Sequence, residues 1–244
     1  MELTAMLKRI DETKKRIEER RPLAPEEVKQ LDAYFRVGLT YSSNALEGNS
    51  LTIVETKVLL EDGLTVGGKP IRDCYEATGH AKAYDFMLTV ARSNPFDFSE
   101  EMILTLHKLF YQGIDAKNAG VYRNVDVPAL MTGLVDKLNA EWNQIHPIKL
   151  AAFAHRKFVD IHPFADGNGR TARLLMNLIL INRGYQIVSI PPILRPEYIS
   201  ALQMAQRENN PSDEDFNMLM AECEFEAQKE FCRMFHIEMP NLSG

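Results

Sequence analysis

Cysteine is scarce in this chain of 244 residues. Cys74, Cys223 and Cys232 are odd in number and none falls in a Cys-x-x-Cys spacing, which argues against a disulfide framework and a cysteine-built zinc site. Basic excess is missing too: a net charge of −6 offers no cationic footprint for general nucleic-acid binding. No uncharged run is long enough to span a membrane, and the first residues are polar and charged rather than the apolar centre of a secretory signal. Internal repeats and low-complexity tracts are absent. These absences point to a cytoplasmic protein with neither membrane nor nucleic acid among its partners. Histidine spacing is equally unhelpful to a metal. His80 and His107 have no second ligand three or four residues away, and His146 and His155 are nine apart, so all four read as core or surface groups.

What is present is ordinary in bulk. Apolar residues make up 45% and charged residues 25%, as in globular chains, and the length suits one large or two small domains. One stretch stands apart: Ile161-His-Pro-Phe-Ala-Asp-Gly-Asn-Gly-Arg-Thr-Ala-Arg173. Before it, Leu150, Phe153, Ala154, Phe158 and Ile161 recur at helical spacing, with Pro147 suited to the first turn. Pro163 ends that helix and leaves His162 at its terminus. After it, Leu174, Leu175, Met176, Leu178, Ile179 and Leu180 are apolar nearly all round, which predicts a buried helix.

A buried helix whose first turn opens on Asp-Gly-Asn-Gly is a ready anion site, because free N–H groups and the helix dipole face one pocket. Gly167 and Gly169 let the backbone approach a ligand. Arg170 and Arg173 share a face and present forks that match phosphate oxygens. Asp166 suits Mg²⁺, which takes one or two carboxylates along with substrate phosphates. His162 alone, among apolar neighbours, would read as a packed or surface group; its place beside a carboxylate, a glycine turn and two arginines makes it a candidate base. The residues by themselves define a phosphate-handling site with a base.

His-Pro-Phe-x-Asp-Gly-Asn-Gly-Arg-x-x-Arg at 162–173 resembles the signature of the Fic (filamentation induced by cAMP) family of protein adenylyltransferases at every specified position. The resemblance implies transfer of AMP from ATP to a hydroxyl of a target protein. His162 would take the hydroxyl proton and Asp166 would hold Mg²⁺ against the α- and β-phosphates. Gly167, Asn168 and Gly169 would line the anion hole, with Arg170 on phosphate and Arg173 on the γ-phosphate. ATP and Mg²⁺ are the implied co-substrate and metal, and the target could be the chain itself.

Upstream, residues 2–20 form a charged helix with a narrow apolar stripe, and Pro25-Glu26-Glu27 opens the next helix. That helix runs into Ser43-Asn-Ala-Leu-Glu47-Gly48-Asn49. Structurally this reads as a left-handed cap at Gly48 or Asn49 followed by a new helix capped by Ser50 or Thr52. It is also similar to the Fic inhibitory motif, [Ser/Thr]-x-x-x-Glu-[Gly/Asn], placed N-terminal to the core as in the self-inhibited subclass. Ser43, Glu47 and Gly48 are then inhibitory residues, and Arg173 is the implied partner of Glu47.

Gly63-Leu-Thr-Val-Gly-Gly-Lys-Pro70 imitates a phosphate-binding loop but ends in proline where a hydroxyl belongs, and it follows a helix rather than a strand. It is a glycine-rich connection. Helical runs continue over about 70–93 and 99–112. Gly120–Leu130 breaks the pattern and reads as a short hairpin or extended loop. In the family this segment is the flap that docks the target by strand pairing, with Val125 and Val127 as candidates here. A helix over 132–144 carries the only tryptophan, Trp142, as core, and Gly184–Pro192 is an extended crossover. Pro196 opens a helix whose Tyr198 and Gln206 resemble, by position, residues at the adenosine end of the nucleotide. A last helix spans about 211–235.

The expected architecture is all-α, a Fic-fold helical bundle with a small β-hairpin flap. Residues 1–70 form an N-terminal helical region with the inhibitory helix, 71–210 the Fic core, and 211–244 a C-terminal helix on that core. Three functions compete: an adenylyltransferase held off by Glu47; a hydrolase that removes AMP, with Glu47 orienting water; and a binding module that senses nucleotide without transfer. Transfer of another group from a different nucleotide donor is a variant of the first. A homodimer could relieve or enforce the inhibition, but no residue names its interface.

Overall fold

Ten α-helices follow one another among the described residues of the computed structural model, namely 2–65, 67–207, 209 and 211–240. They are α1 (Leu3–Glu19), α2 (Pro25–Ala45), α3 (Ile53–Glu61), α4 (Ile71–Ala91), α5 (Glu100–Tyr111), α6 (Val127–Glu141), α7 (Pro147–Ile161), α8 (Asn168–Asn182), α9 (Arg195–Ala205) and α10 (Glu214–Met234). Prolines at the first or second position open α2, α6, α7 and α9, where a missing N–H costs nothing. Thr52 and Glu55 form a capping box on α3, and Ser99 caps α5.

The axis of the bundle is α8. Leu174, Leu175, Met176, Leu178 and Ile179 are all fully buried, so no side of the helix faces water. At roughly 1.5–3 kcal/mol for each such side chain, this helix is a large share of the folding drive. Around it lie α7, α4, α5 and α2, while α1 packs on α10. One polar residue inside α8 orders its surroundings: Asn177 accepts from Val188 N at 2.7 Å and donates to Val188 O at 2.9 Å and Arg173 O at 3.0 Å. That tethers the 184–191 crossover without a strand ladder.

The small hairpin anticipated at Gly120–Leu130 is not formed: no strand occurs among the described residues. Residues 121–126 are loop, and α6 begins at Val127, earlier than the expected 132. Two causes are visible. Apolar positions 127, 131, 134, 135 and 138 make one buried helical stripe that runs back through Pro128. Asn124 Oδ1 then accepts from Asp126 N and Val127 N, both at 3.2 Å, and so caps the helix locally. The period of the stripe outweighs the strand propensity of Val125 and Val127.

Candidate functional site

The motif lies between α7 and α8. His162 closes α7 in the left-handed region, φ 51° and ψ 59°, a conformation that strains a residue with a Cβ. It persists because the turn around it is fastened twice. Arg123 donates from Nε to His162 O at 2.6 Å and from its backbone N to Pro163 O at 2.9 Å. Asn168 clamps the turn from the other side, accepting from Phe164 N at 2.9 Å and donating to Phe164 O at 2.8 Å. The His162 side chain is exposed, and among the described residues its ring has no hydrogen-bond partner.

Gly167 is the N-cap of α8 at φ 79°, so it contributes no capping side chain to the first-turn N–H groups. The first helical bond there is Thr171 N to Gly167 O, leaving the N–H groups of Asn168, Gly169 and Arg170 for an anion. A Cβ at Gly167 would meet Phe110 Cε1 at 2.6 Å, so both the conformation and the space demand glycine. The buried side chain of Asn168 is committed to Phe164, so only its backbone can serve an anion hole.

Beneath the turn, His107 accepts from Gly120 N at Nδ1 (2.9 Å), which leaves Nε2–H to donate to Asp166 O at 3.0 Å. Its ring stacks on Phe164, centroids 3.6 Å apart. Burial lowers its pKa to about 4, so it is neutral and holds the backbone of Asp166. The carboxylate of Asp166 accepts from Gly167 N on Oδ1 (2.7 Å) and from Arg72 on Oδ2 (2.7 Å). No cluster of three or more metal-ligating His, Cys, Asp or Glu side chains occurs among the described residues. A single half-exposed carboxylate fits Mg²⁺, which fills the rest of its octahedron with water and phosphate oxygens, and does not fit a protein-caged metal.

The two arginines are buried, 3% and 1% exposed for Arg170 and Arg173. Arg170 lies over the Phe110 ring, pairs with Glu76 at 3.1 Å and approaches Asp166 at 3.6 Å, while its Nε has no partner. Arg173 is held from three directions. It donates to Ser43 Oγ (2.9 Å) and Ser43 O (2.8 Å), to Tyr198 OH (3.1 Å) and to Glu47 Oε1 (2.8 Å). Burial opposes its charge, but Tyr198 and Glu47 more than compensate and raise its pKa. On Glu47, burial pushes the carboxyl upward and is outweighed by Arg173 and then Arg170, so the group stays below the usual carboxylate range. Gly169 makes room for this pair, since a Cβ there would overlap the Glu47 carboxylate. Gly48, at φ 91°, turns the chain off the end of α2 immediately after Glu47.

The structure thus brings Ser43, Glu47, Asp166, Gly167, Gly169, Arg170 and Arg173 together beside His162. Tyr198 joins them from behind. It is 4% exposed and passes a hydrogen bond from Arg173 to His155 Nε2 at 3.1 Å, so it positions the guanidinium and has no free face for an adenine ring. Gln206 donates to Asp160 Oδ1, in the last turn of α7, at 2.8 Å, and lines a cleft of about 600 Å³ with Arg156, Lys157 and Arg207. Val125 is 92% exposed in the loop anchored by Arg123, whereas Val127 is 1% exposed inside α6 and cannot dock a partner. Four supporting residues have no signal in sequence spacing: Arg72, Glu76, His107 and Arg123 are remote from the motif and meet it only in the fold.

A model of the Fic/DOC family matches residues 97–180. Among curated proteins, the chain is 34% identical over 206 residues to protein adenylyltransferase Fic of Drosophila willistoni, covering 79% of this chain and 40% of that protein. It is 37% identical over 180 residues to protein adenylyltransferase fic-1 of Caenorhabditis elegans, covering 68% of this chain and 35% of the relative. The chain therefore spans about two fifths or less of the length of these curated relatives. Among solved structures, a fragment of C. elegans Fic-1 superposes with a TM-score of 0.87 at 30% identity, over 94% of this chain and 71% of that one. A Fic-domain-containing signaling protein from Bacteroides thetaiotaomicron gives 0.84 at 27% identity, over 96% and 99% of the two chains.

Proposed function

The chain belongs to the Fic/DOC family, and from that premise we propose that it is a protein adenylyltransferase that moves AMP from ATP to a Ser, Thr or Tyr hydroxyl of a target protein. The observation that carries the reading is the convergence on one turn of an unpartnered histidine, a first helical turn with free N–H groups, and two buried arginines. In this reading the target hydroxyl gives its proton to His162 and its oxygen bonds to the α-phosphorus of ATP. The bond from that phosphorus to the β-phosphate bridging oxygen breaks, and pyrophosphate leaves. Preorganised N–H donors and fixed cations are what such a charge-rich transition state calls for. Arg170 and the N–H groups of 168–170 bind phosphate oxygens; Arg173 takes the γ-phosphate. Mg²⁺, held by Asp166, would neutralise phosphate charge there. Val125, exposed on the loop that Arg123 joins to His162, would meet the target in this reading.

The same reading makes the chain self-inhibited. Glu47 holds the guanidinium that the γ-phosphate needs, so ATP binds poorly or in the wrong pose until Glu47 withdraws. A second reading, removal of AMP by hydrolysis, is favoured by one detail: only Oε1 of Glu47 meets Arg173, which leaves Oε2 available to orient a water.

The test incubates wild type, Glu47→Gly and Glu47→Gly/His162→Ala with Mg²⁺ and ATP labelled on the α-phosphate, with lysate as a target source. Transfer under inhibition predicts strong label with the single variant, weak label with wild type and none with the double. If Glu47→Gly instead abolishes removal of AMP from a modified target, the hydrolase reading takes its place. ATP binding with label in no variant would leave a nucleotide-sensing module or another donor.

A further inference from the structure

Each charged side chain of the motif meets a counter-charge contributed by residues 47–76. Arg173 meets Glu47 at 2.8 Å, Arg170 meets Glu76 at 3.1 Å, and Asp166 meets Arg72 at 2.7 Å. The first two are phosphate-binding arginines covered by acids. The third is the reverse: the one carboxylate of the turn is covered by a cation.

The geometry of that third contact is specific. Oδ1 of Asp166 is taken by the N–H of Gly167, so Oδ2 is the oxygen left for an incoming cation, and Oδ2 is where Arg72 Nη2 donates. The guanidinium is steadied by Glu76, whose Oε1 accepts from Arg72 Nε at 3.1 Å and faces Arg170 Nη1 at the same distance. Glu76 Oε2 in turn accepts from Asn49 Nδ2 at 3.0 Å, and Asp73 Oδ2 accepts from Ser50 N at 2.8 Å and Ser50 Oγ at 2.6 Å. The first turns of α4 therefore grip the chain just after Glu47 on one side and the motif on the other. Arg72 and Asp166 are 56% and 42% exposed in their side chains, so their pair is solvated and displaceable. A structural staple would be expected to be drier.

We propose that Arg72 is a positioning residue that competes with the divalent cation for Asp166 Oδ2. Bound to Asp166, it keeps the cation site closed while no nucleotide is present. Once displaced, it stays anchored on Glu76 beside the phosphate-binding turn, where its charge faces phosphate rather than metal. The cation is thereby admitted together with the nucleotide and not before it. This rests on the reading that Asp166 receives the cation, and it is separate from the Glu47–Arg173 contact.

The experiment uses the full chain in the Glu47→Gly background, alone and combined with Arg72→Gln, Arg72→Lys or Asp166→Ala. Calorimetry follows ATP binding while Mg²⁺ is titrated, and electron paramagnetic resonance follows Mn²⁺ binding without nucleotide. Arg72→Gln should lower the cation concentration for half-maximal binding roughly two- to fivefold in both measurements, the range expected for release of one solvated ion pair. Arg72→Lys should stay near the parent, and the gap between Gln and parent should narrow at high salt. An unchanged midpoint for Arg72→Gln, with cation-dependent ATP binding intact and lost in Asp166→Ala, overturns the competition alone. A raised midpoint overturns it too, since Arg72 would then assist the cation. If Glu47→Gly binds ATP with no cation dependence, the role of Asp166 falls and this inference falls with it.

Discussion

Replacing Glu47 by glycine should make the empty protein less stable and its nucleotide affinity higher, and the structure sets the size of both effects. Arg173 is 1% exposed and donates to four acceptors, of which only Glu47 is charged. Removing Glu47 leaves a buried guanidinium among neutral acceptors. Breaking a fully buried pair in this way costs about 3–5 kcal/mol. The Glu47 side chain is 37% exposed, so water already reaches the pair, and the cost is discounted to about 1.5–2.5 kcal/mol. For a chain of this length each kcal/mol moves the thermal midpoint by about 2–4 °C, so a fall of roughly 3–10 °C follows. A phosphate reaching Arg173 in the wild type must first undo the same contact. Relieving that requirement raises affinity roughly ten- to seventyfold, at about 1.4 kcal/mol per decade. Thermal unfolding without nucleotide and titration calorimetry with Mg²⁺ and ATP measure the two quantities on the same samples. Glu47→Gln keeps the hydrogen bond and loses the charge, so it should fall between wild type and glycine in both. Equal midpoints and equal affinities across the three proteins would refute the claim that this contact closes the site.

Three further outcomes follow from the same geometry. Tyr198→Phe removes the hydroxyl that links Arg173 to His155 and leaves His155 Nε2 buried without a partner; denaturant unfolding should record a loss of about 1–3 kcal/mol. Gly167→Ala forces an alanine to φ 79° and presses its Cβ on Phe110, so its unfolding midpoint should drop clearly and nucleotide binding should weaken with it, readable by thermal shift with and without ATP. Glu224 in α10 is fully buried with Oε1 accepting from Gln186 N, and burial raises its pKa well above the ordinary value. The folded state keeps the proton of this buried acid, so stability from it is full below the unfolded pKa of 4.5 and declines as pH rises toward the folded one. Glu224→Gln, which offers an N–H in place of that proton, should remove the decline. His80 and His155 carry the opposite sign: burial lowers both to about 3, so their contribution is present above pH 6.5 and is lost on acidification toward 3. Denaturant unfolding of wild type and Glu224→Gln between pH 3 and 8 separates the two trends.

At residues 120–130 and at Tyr198, packing between distant segments overrides the local signals of the sequence. Val125 and Val127, between a glycine and a proline, carry every local mark of a strand, but the stripe from Val127 to Leu138 reaches the core and draws the segment into α6. Local propensity is worth tenths of a kcal/mol per residue, and burial of one such side chain is worth several times that. Tyr198 could be placed near a nucleotide only by analogy of position; that its ring lies behind Arg173 and its hydroxyl points at His155 depends on how α9 settles against α7 and α10. In the sequence His107 is one more histidine in an apolar run, and its bond to Asp166 O joins residues far apart in the chain.

What the sequence determined by itself is local chemistry. The glycines at 167 and 169, the proline after His162 and the apolar run of α8 dictate a helix N-terminus that opens on a turn, because each acts on its own backbone or its immediate neighbours. The motif Ser43-x-x-x-Glu47 likewise needs only the last residues of α2 and the turn that follows them, where Leu46 N donates to Ser42 O and Glu47 N to Asn44 O, to bring its two side chains together. Only the tertiary structure decided the charge pairing. Glu47 meets Arg173, Glu76 meets Arg170 and Arg72 meets Asp166 across 126, 94 and 94 positions of chain. Such contacts are set by where α2 and α4 rest on α8, which is a result of burying α8 on every side, and no spacing along the chain encodes it.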